Sequence, residues 1–439
     1  MIYNIGLPVA LILALPLLIV KAIRVPGYAT WIGRRLGLIA GPGGRRGQKK
    51  GGVRIWLHAL SVGETASARP LLRALRGRYP DATLILSSST RAGAALAAAS
   101  CAELVDRLEV LPYDLPWAMN RLVRDLRPDL FILVETDLWP NLIRSLKVRG
   151  VPLLLVNGRL SASSWRWYRR WRFLARPLLF APFALLSMQT AEEAERLRGL
   201  GLPPAKVGVL GNLKYPAALE RPVSGGAPSR LSRETLGIGP EKLLWLAGST
   251  HAGEEEILLR AWRQLTGEFP ELVLILAPRR VERAASVLEL ARKHDCRARL
   301  RTVLSPDPWE VLILDSYGEL TALYPLCDLA FVGGSLVPAG GHNPLEAAAC
   351  RRPLLFGPHM EDFAEISRDL LAVGGACRVN DQEHTVAAVS CWLREPAVLA
   401  AAGQRAYELV EIRSGGVPMA HLEMIAKLLN SDLPLKEER

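Results

Sequence analysis

The chain has 439 residues, of which 50% are apolar and 22% are charged. This length predicts two or three domains, and the apolar content excludes a chain that stays unfolded. The formal charge of +12 and the pI near 9.7 indicate an anionic partner, which is nucleic acid, anionic lipid or a phosphorylated substrate. Six scattered cysteines without a CxxC pair favour buried thiols in a reducing compartment over disulfides or a metal site.

The first element is an uncharged stretch from Ile2 to Val20, followed by a run of Lys and Arg as far as Lys50. A helix of nineteen residues measures about 28 Å, close to the hydrocarbon thickness of a bilayer. Positive charge follows the apolar run, which favours an uncleaved single-pass anchor with the rest of the chain in the cytoplasm. Pro8 and Pro16 leave open a tilted or half-inserted anchor, and a buried core helix is the remaining alternative.

Short apolar runs then alternate with helical patterns, which predicts parallel sheets covered by helices on both faces. The predicted strands are VRIWLH (53–58), TLILS (83–87), LFILV (130–134), PLLLV (152–156), ALLSM (184–188), VGVLG (207–211), LLWLA (243–247), LVLILA (272–277), VLILD (311–315), LAFVG (329–333) and PLLF (353–356). A stretch rich in Pro, Gly and Ser at 216–232 is typical of a linker between two groups of strands. The fold prediction is α/β, with two Rossmann-like domains facing a cleft and ligands beyond the carboxyl ends of the strands.

Polar residues cluster directly after these strands. Those in the first half are Glu64, Glu135, Asn157, Arg159, Asn212 and Lys214, and those in the second half are Gly248, Ser249, Thr250, His251, Arg279, Arg280 and Ser316 to Glu319. Each alone has an ordinary explanation, since acids favour helix starts and single basic residues are usually solvated. Polar residues at seven strand ends together indicate a site. The first set suits chemistry on an acceptor, and the second suits a nucleotide.

The stretch FVGGSLVPAGGHNPLEAAA (331–349) reads as a strand end, a glycine-rich loop and a helix that opens at Asn343-Pro344. Glycines let a ligand approach the backbone, and free N–H groups at a helix start favour phosphate. Glu346 is placed to accept hydrogen bonds from a ribose diol. Taken alone, these residues also fit a tight strand-to-helix turn in any α/β protein.

A resemblance sharpens this interpretation. The ordered motifs SVGE, ETDLWPN, NGRLS, QTAEEAERL, GNLKY, GSTHAGEEE, APRR, SYGEL and GGSLVPAGGHNPLE closely resemble the 3-deoxy-D-manno-octulosonic acid (Kdo) transferases of bacterial lipid A biosynthesis. The match runs from the N-terminal anchor to about Pro358. It implies a GT-B glycosyltransferase on the inner face of the cytoplasmic membrane. It also implies inverting transfer of Kdo from the substrate CMP-Kdo to a tetra-acylated, bisphosphorylated glucosamine disaccharide, without a required metal or cofactor.

The resemblance also implies residue roles. Glu64 matches the family's proposed general base, and Glu135 and Lys214 match positions implicated in stabilising the transition state. The matched CMP-binding residues are Pro278, Arg279, Tyr317, Gly318, Glu319, Asn343, Pro344, Leu345 and Glu346. The donor-loop candidates are Gly248, Ser249, Thr250, His251, Gly333, Gly334 and Ser335. The chain departs from the family pattern at Ala252, Arg280, Tyr317 and Ala347, and Arg280 stands where the family usually has His.

The segment WRWYRRWRF (165–173) interleaves aromatic and basic residues. Such a segment stacks bases in some nucleic-acid binders, but beside a membrane anchor it fits the headgroup interface better. The predicted acceptor and membrane patch comprises Arg159, Trp165, Arg169, Arg170 and Arg172. A core helix whose arginines reach solvent is the alternative.

The predicted organisation is an anchor helix at 1–22, an acceptor domain at 23–215, a linker at 216–232, a CMP-sugar-binding domain at 233–400, a C-terminal helix at 401–429 that packs back on the first domain, and a disordered tail at 430–439. The expected partners are CMP-Kdo, the lipid A precursor and the anionic inner membrane, and not nucleic acid. Two other functions stay open. One is a membrane-associated GT-B enzyme that uses a UDP-sugar, and the other is a non-catalytic basic binder, which leaves Glu64, Glu135 and Glu319 unexplained.

Overall fold

The computed structural model describes residues 2–39, 52–220, 231–303 and 307–430. The chain divides into a first unit, Met1–Ala217 with Ser414–Arg439, and a second unit, Ala218–Arg413. The predicted tail beyond residue 430, residues 221–230 of the predicted linker and the basic residues at 45–50 lie outside the described residues.

The first unit contains a parallel sheet of seven strands. The strands are β1 (Arg54–His58), β2 (Thr83–Ser88), β3 (Arg107–Val110), β4 (Leu130–Val134), β5 (Leu153–Gly158), β6 (Leu185–Met188) and β7 (Val207–Gly208), in the order β3-β2-β1-β4-β5-β6-β7. The helices are α1 (Ile2–Arg24), α2 (Tyr28–Arg35), α3 (Val62–Arg78), α4 (Arg91–Ser100), α5 (Pro116–Leu126), α6 (Pro140–Val148), α7 (Ala162–Arg170), α8 (Arg172–Ala175), α9 (Ala191–Arg198) and α10 (Lys214–Leu219). A π-helical turn at Arg176–Phe180 follows α8.

Alternate residues of these strands enter two separate cores, one on each face of the sheet. Trp56 and Phe131 pack in one core, while Ile55 and Ile132 pack in the other. All four side chains are essentially inaccessible to solvent. Burial on both faces explains why the strands are continuous apolar runs and do not alternate with polar residues.

The second unit contains another parallel sheet of seven strands. The strands are β8 (Leu243–Thr250), β9 (Leu272–Pro278), β10 (Ala298–Leu300), β11 (Val311–Ile313), β12 (Leu329–Val332), β13 (Leu354–Phe356) and β14 (Ala376–Arg378), in the order β10-β11-β9-β8-β12-β13-β14. The helices are α11 (Glu254–Leu265), α12 (Ala284–Lys293), α13 (Leu320–Leu323), α14 (Leu345–Ala349), α15 (Ala364–Ala372), α16 (Gln382–Arg394) and α17 (Pro396–Ser414). The last helix, α18 (Val417–Asn430), belongs to the first unit, where Leu422 and Ile425 join the core.

Three strands were not predicted, and each lies at the edge of its sheet: β3, β10 and β14. An edge strand has one neighbouring strand and carries more polar side chains, which weakens its apolar signal. In β3, for example, Arg107 forms an ion pair with Glu109 on the same strand.

Two predicted segments differ from the structure. The single C-terminal helix at 401–429 is two helices, because the chain turns at Gly415-Gly416 between α17 and α18 and Gly416 has φ 75°. Residues 216–219 of the predicted linker form the end of α10 instead of loose chain. Helix α1 has no fully buried residue among those described, so the buried core helix is excluded, and it is long and apolar enough to cross a membrane.

Candidate functional site

The two sheets have Rossmann-type strand orders, and each has one point where the chain reverses its direction of travel across the sheet. In the first unit this switch point lies between β1 and β4, and in the second unit it lies between β8 and β12. Loops diverge at such a point and leave a crevice at the carboxyl ends of the strands, where open α/β sheets bind ligands. The predicted site residues follow these strands.

Glu64 lies in the first turn of α3, directly after β1. Ser61 is the N-cap of this helix, and its hydroxyl accepts a hydrogen bond from the Glu64 amide. The Glu64 carboxylate accepts hydrogen bonds from the Leu60 amide at 2.6 Å and from the Ser61 hydroxyl at 3.2 Å. Only 7% of the residue is exposed. Burial, and next the nearby carboxylate of Glu135, raise the pKa of Glu64 to about 8.

Glu135 comes directly after β4 and has φ 60°, in the left-handed region that few non-glycine residues adopt. Its amide still donates to the Val156 carbonyl, so the strand pairing continues up to this residue. Its carboxylate lies 3.4 Å from the ammonium group of Lys214. Unusual backbone conformations of this kind are frequent at functional sites, where the surrounding fold holds them.

Three amide side chains hold the loop that carries Lys214. The Asn157 carboxamide oxygen accepts from the Leu213 amide at 2.9 Å, and the Asn212 carboxamide oxygen accepts from the Lys214 amide at 3.0 Å. Gln189 connects the two, because it donates to the Asn157 carbonyl and accepts from Asn212. Asn157 itself is fully buried and has φ 55°. This network places Lys214 at the start of α10, beside Glu135.

The structure adds residues that the sequence interpretation missed. Asp137 lies two residues after Glu135; its carboxylate accepts from the Trp139 indole at 2.6 Å and lies 3.6 Å from the ring of buried His58. Asp114 is fully buried and accepts from the amides of Asn141 and Leu142, both at 2.9 Å. The ETDLWPN motif contained the signal for Asp137, but only the acid next to the strand was selected.

The predicted acceptor patch lies at the surface of the first unit. Trp165 is partly buried, donates from its indole to the Arg196 carbonyl and has Arg169 stacked on its ring at 4.4 Å. Arg170 and Arg172 are exposed, and α7 has no fully buried residue. Trp165 and Tyr168 pack against one core of the first unit, so the aromatic side of α7 meets the protein while its arginines reach solvent. Arg159 stands between β5 and α7, and its backbone forms two hydrogen bonds with the Thr136 hydroxyl.

In the second unit, a buried carboxylate organises the glycine-rich loop. Glu254 of α11 accepts hydrogen bonds from the amides of Gly334, Ser335 and Leu336, at 2.7 to 2.9 Å, and from the amide of His251 at 2.8 Å. The amides of Gly334, Ser335 and Leu336 therefore already have a protein carboxylate as their acceptor.

The same loop brings two histidines together. The Nε2 atoms of His251 and His342 are 2.9 Å apart, and their rings are stacked with centroids 5.1 Å apart. At this distance one ring donates and the other accepts, so at most one of the two facing nitrogens carries a proton. Burial, and next the positive charge of Arg279, lower the pKa of His342 to about 4. His342 was not among the predicted residues.

Glycine is required where the loop meets the end of β8. A Cβ on Gly333 would stand 2.3 Å from the Ser249 carbonyl oxygen, and Ser249 has φ 58°. Gly248 pairs with Val332, and this is the last residue pair between β8 and β12. Thr250 is fully buried. The donor-loop candidates are thus brought together at the switch point of the second sheet.

The predicted CMP-binding residues lie at the ends of two adjacent strands, β9 and β11, and at the start of α14. Pro278 is the last residue of β9. The next residue, Arg279, has an exposed side chain, and its backbone amide donates to the Thr250 carbonyl. Tyr317 is 73% exposed and donates to Glu282 at 2.7 Å, while Glu319 lies 3.2 Å from Arg301 and accepts from the Ser316 hydroxyl.

The helix after the glycine-rich loop is short. It begins at Leu345, whose amide donates to the Asn343 carboxamide at 3.1 Å, and Pro344 is its N-cap residue instead of its first helical residue. Glu346 accepts from the Thr321 hydroxyl at 2.9 Å, and burial raises its pKa. These contacts fix Asn343 and Glu346 at the start of α14, after the glycine-rich loop.

A cavity of about 310 Å³ in the second unit lies elsewhere, at the amino ends of its strands, beside Lys242, Leu272 and Glu310. It holds none of the predicted site residues. Among the described residues, no group of three or more His, Cys, Asp or Glu side chains is arranged to hold a metal ion.

Comparison with known proteins gives consistent findings. Residues 31–217 match the family model described as 3-deoxy-D-manno-octulosonic-acid transferase (kdotransferase). The 3-deoxy-D-manno-octulosonic acid transferase of Haemophilus influenzae is 37% identical over 74% of this chain and 75% of its own length. The transferase of the same name from Chlamydia pneumoniae is 29% identical over 99% of this chain and 96% of its own.

Solved structures share the fold at low sequence identity. UDP-GlcNAc 2-epimerase from Neisseria meningitidis matches 87% of this chain and all of its own, with a TM-score of 0.60 and 12% identity. A glycosyltransferase from Rickettsia africae matches the same shares with a TM-score of 0.59 and 12% identity. These matches, with the two parallel seven-stranded sheets, confirm the prediction of a GT-B-like fold with two Rossmann-like domains.

Proposed function

The chain belongs to the family of 3-deoxy-D-manno-octulosonic acid transferases, and from this premise we propose that it moves Kdo from CMP-Kdo to a lipid A precursor with inversion. The acceptor is a tetra-acylated, bisphosphorylated glucosamine disaccharide. The observation that carries the proposal is Glu64, a buried carboxyl group at the switch point of the first sheet whose pKa is raised to about 8. Such a group suits the base that an inverting sugar transfer needs.

The proposed reaction has one displacement step. The acceptor hydroxyl oxygen bonds to the anomeric carbon of Kdo while the bond from that carbon to the CMP phosphate oxygen breaks. CMP leaves with the electron pair, and the hydroxyl proton passes to Glu64. A carboxylate whose protonated form has a pKa near 8 is a stronger base than an ordinary carboxylate, and the ionised fraction that can take the proton rises as the pH approaches 8.

Glu135 and Lys214 are proposed to stabilise the transition state from the acceptor side. Their ion pair at 3.4 Å holds a positive and a negative charge next to Glu64, whose pKa the Glu135 carboxylate helps to raise. The amide network of Asn157, Gln189 and Asn212 fixes the Lys214 loop before substrate arrives. Groups fixed in advance stabilise developing charge without the cost of reorganisation.

The second unit is proposed to bind CMP-Kdo. Exposed Arg279 lies close enough to His342 to affect its pKa, so a cation stands beside the glycine-rich loop. We propose that Arg279 counters the charge on the leaving phosphate without a metal ion, while Tyr317 to Glu319 and Asn343 to Glu346 contact the nucleotide. Three loop amides already donate to Glu254, so we propose that Arg279 contributes more than the loop amides to countering the phosphate charge.

We propose that the enzyme is attached to the cytoplasmic face of the inner membrane. One apolar helix near the N-terminus, the basic composition and the exposed patch on α7 and the start of α8 support this placement. The patch presents Trp167 and Phe173, 57% and 65% exposed, together with Arg169, Arg170 and Arg172. Aromatic and basic side chains side by side are typical of the headgroup region, where arginines also bind acceptor phosphates. Nucleic acid is not expected as a partner.

The test is transfer of Kdo from freshly generated CMP-Kdo to the tetra-acylated, bisphosphorylated disaccharide, with product detected by mass. Competition by free CMP and by free UDP separates the remaining alternative, a GT-B enzyme that uses a UDP-sugar. We expect transfer, and inhibition by CMP at concentrations where UDP has no effect. Well-folded protein that transfers no Kdo, and that binds UDP but not CMP in a direct titration, would establish that alternative instead.

A further inference from the structure

The first turn of α1 is fixed to buried groups of the first unit. The Tyr3 hydroxyl donates to the Asp114 carboxylate at 3.0 Å, and the Asn141 side-chain amide donates to the Asn4 carboxamide oxygen at 2.7 Å. Asp114 is fully buried and also accepts from the amides of Asn141 and Leu142 at the start of α6. The start of α1 is therefore attached to the segment that follows Glu135 in the chain.

The chain directly after α1, from Pro26 into α2, is fixed to the same unit. Arg91, the first residue of α4, donates to the Pro26 carbonyl at 3.2 Å, and its guanidinium lies 5.6 Å from the centre of the Tyr28 ring. Farther along, Arg35 is buried, lies 4.4 Å from the centre of the Tyr113 ring and donates to the Leu111 carbonyl. The first turn of α1 and the chain directly after its last turn are thus held by segments that follow β2, β3 and β4 at the carboxyl edge of one sheet.

Between its ends, α1 has two different faces. The partly buried residues are Asn4, Leu7, Pro8, Leu11, Ala14, Leu18 and Ala22, and most of them follow the three-and-four spacing of one helix face. The opposite face is apolar and open: Ile12, Leu13, Leu17 and Ile23 are 67%, 75%, 69% and 80% exposed. An exposed apolar face of this length is typical of a surface that contacts a membrane or another protein.

A crossing helix is incompatible with these contacts. Tyr3–Arg24 has 22 residues and measures about 33 Å, so a crossing would place Tyr3 and Arg24 on opposite sides of the bilayer. The first turn of α1 and the chain directly after its last turn contact one folded unit, whose polar loops stay on one side. We propose that α1 lies in the cytoplasmic interface of the bilayer, with its open face among the lipid chains and both ends on the cytoplasmic side.

This arrangement has a consequence for the site. Helix α6, to which α1 is attached, starts five residues after Glu135, and α7 starts four residues after β5 ends. Both apolar surfaces, the open face of α1 and the patch on α7, therefore belong to the edge of the sheet that carries Glu64 and Glu135. A helix seated in the interface holds this edge against the lipid surface, where an acylated acceptor presents its sugar headgroup.

The first experiment is topological and needs no enzyme activity. The full chain carries one epitope tag before Met1 and another after Arg439, and protease is added to intact spheroplasts and then to broken ones. We expect both tags to survive in intact spheroplasts and both to be cut after lysis. Cutting of the N-terminal tag alone in intact spheroplasts would overturn the proposal in favour of a crossing helix.

The inference rests on the membrane attachment proposed above but not on the reaction. A chain absent from the membrane fraction would overturn both the attachment and the in-plane helix. It would not bear on Kdo transfer, which is tested by the transfer assay. A chain in the membrane with a cytoplasmic N-terminus supports the in-plane helix even if Kdo transfer fails.

A second experiment tests the contacts themselves, by hydrogen exchange of the full chain in lipid vesicles. Asn4→Ala should raise the exchange rates of the Asn141 and Leu142 amides about fivefold, the effect of losing one ordinary hydrogen bond. Leu13→Ala is the control: it removes an outward apolar side chain and should weaken vesicle binding without changing these amides. Unchanged exchange in Asn4→Ala would show that the docked first turn is absent in the membrane.

Discussion

At the scale of single residues, environment decides what each carboxyl group can do. Glu64 and Glu135 each follow a strand at one switch point, and Glu64 is deeply buried with a pKa raised to about 8. Glu135 instead pairs with Lys214. Two neighbouring carboxyl groups with different environments are the usual arrangement for separate acid–base and electrostatic roles.

Glu64→Gln should lower kcat for Kdo transfer by about 10²- to 10⁴-fold, because the amide keeps the size of the side chain but cannot take the proton. CMP binding, which we assign to the other unit, should stay unchanged. The measurement is single-turnover transfer with saturating acceptor, together with CMP titration. Glu103→Gln, at an exposed position of the same unit, is the matched control. A variant that keeps full kcat would move the base to Glu135.

The same substitution should change how stability depends on pH. The pKa of Glu64 is raised from 4.5 to about 8 in the folded protein, so the unfolded chain ionises first and the wild type loses stability as pH rises between these values. At 1.36 kcal/mol per pKa unit, the loss is about 3 kcal/mol at pH 7. Glu64→Gln removes it.

Urea unfolding of the first unit at pH 5 and pH 8, followed by tryptophan fluorescence, measures this effect. We expect Glu64→Gln to be more stable than the wild type at pH 8 and nearly equal to it at pH 5. A difference of the same size at both pH values would show that the pKa of Glu64 is not raised. Glu103→Gln should follow the wild type throughout.

At the scale of elements, loops at the carboxyl ends of strands are held by buried polar side chains. Asn157 holds the Lys214 loop, Asp114 caps α6, and Glu254 holds the glycine-rich loop. Each of these side chains satisfies backbone amides that would otherwise be buried without partners. Loops fixed in this way keep catalytic groups in place without substrate.

Glu254→Gln tests this role in the second unit. The new amide group would face backbone N–H groups that need acceptors, so we expect a loss of about 2 to 4 kcal/mol in the stability of this unit and a clear rise in the Kd for CMP. Glu256→Gln is the matched control on the same helix, because Glu256 forms only a surface ion pair with Arg260. Equal effects of the two substitutions, measured by urea unfolding and CMP titration, would contradict the role of Glu254.

At the scale of the whole molecule, the excess of positive charge includes a basic patch on the surface of the first unit. The formal charge is +12, and the patch on α7 presents Arg169, Arg170 and Arg172 beside exposed aromatic rings. We expect such a surface to attract anionic lipid and the phosphates of the proposed acceptor, and we expect the attraction to weaken as salt rises.

Replacing Arg169, Arg170 and Arg172 together by Ala should raise the KM for the lipid acceptor in vesicles and leave the KM for CMP-Kdo unchanged. At about 1 kcal/mol for each basic residue near an anionic surface, a rise of 10- to 100-fold is expected. The control removes three exposed basic residues of the other unit, Arg292, Lys293 and Arg368. Equal changes in both KM values would contradict a membrane or acceptor role for the patch.

The sequence by itself determined the fold class, the family and most strands, because a strand buried on both faces is a continuous apolar run and the motifs at strand ends occur in a specific order. It missed β3, β10 and β14, since an edge strand needs fewer apolar residues. It also placed Glu64, Glu135 and Lys214 at strand ends, as the structure does.

Only the tertiary structure decided which polar groups face one another. The pairing of Lys214 with Glu135, the contact of His251 with His342 and the filling of the loop amides by Glu254 join residues from separate loops. The same holds for α1. Length and apolarity predicted a helix able to cross a membrane. The proposal that this helix lies in the membrane interface depends on hydrogen bonds from Tyr3 and Asn4 to residues more than a hundred positions away. Composition and periodicity describe each segment alone, whereas such contacts depend on how distant segments pack.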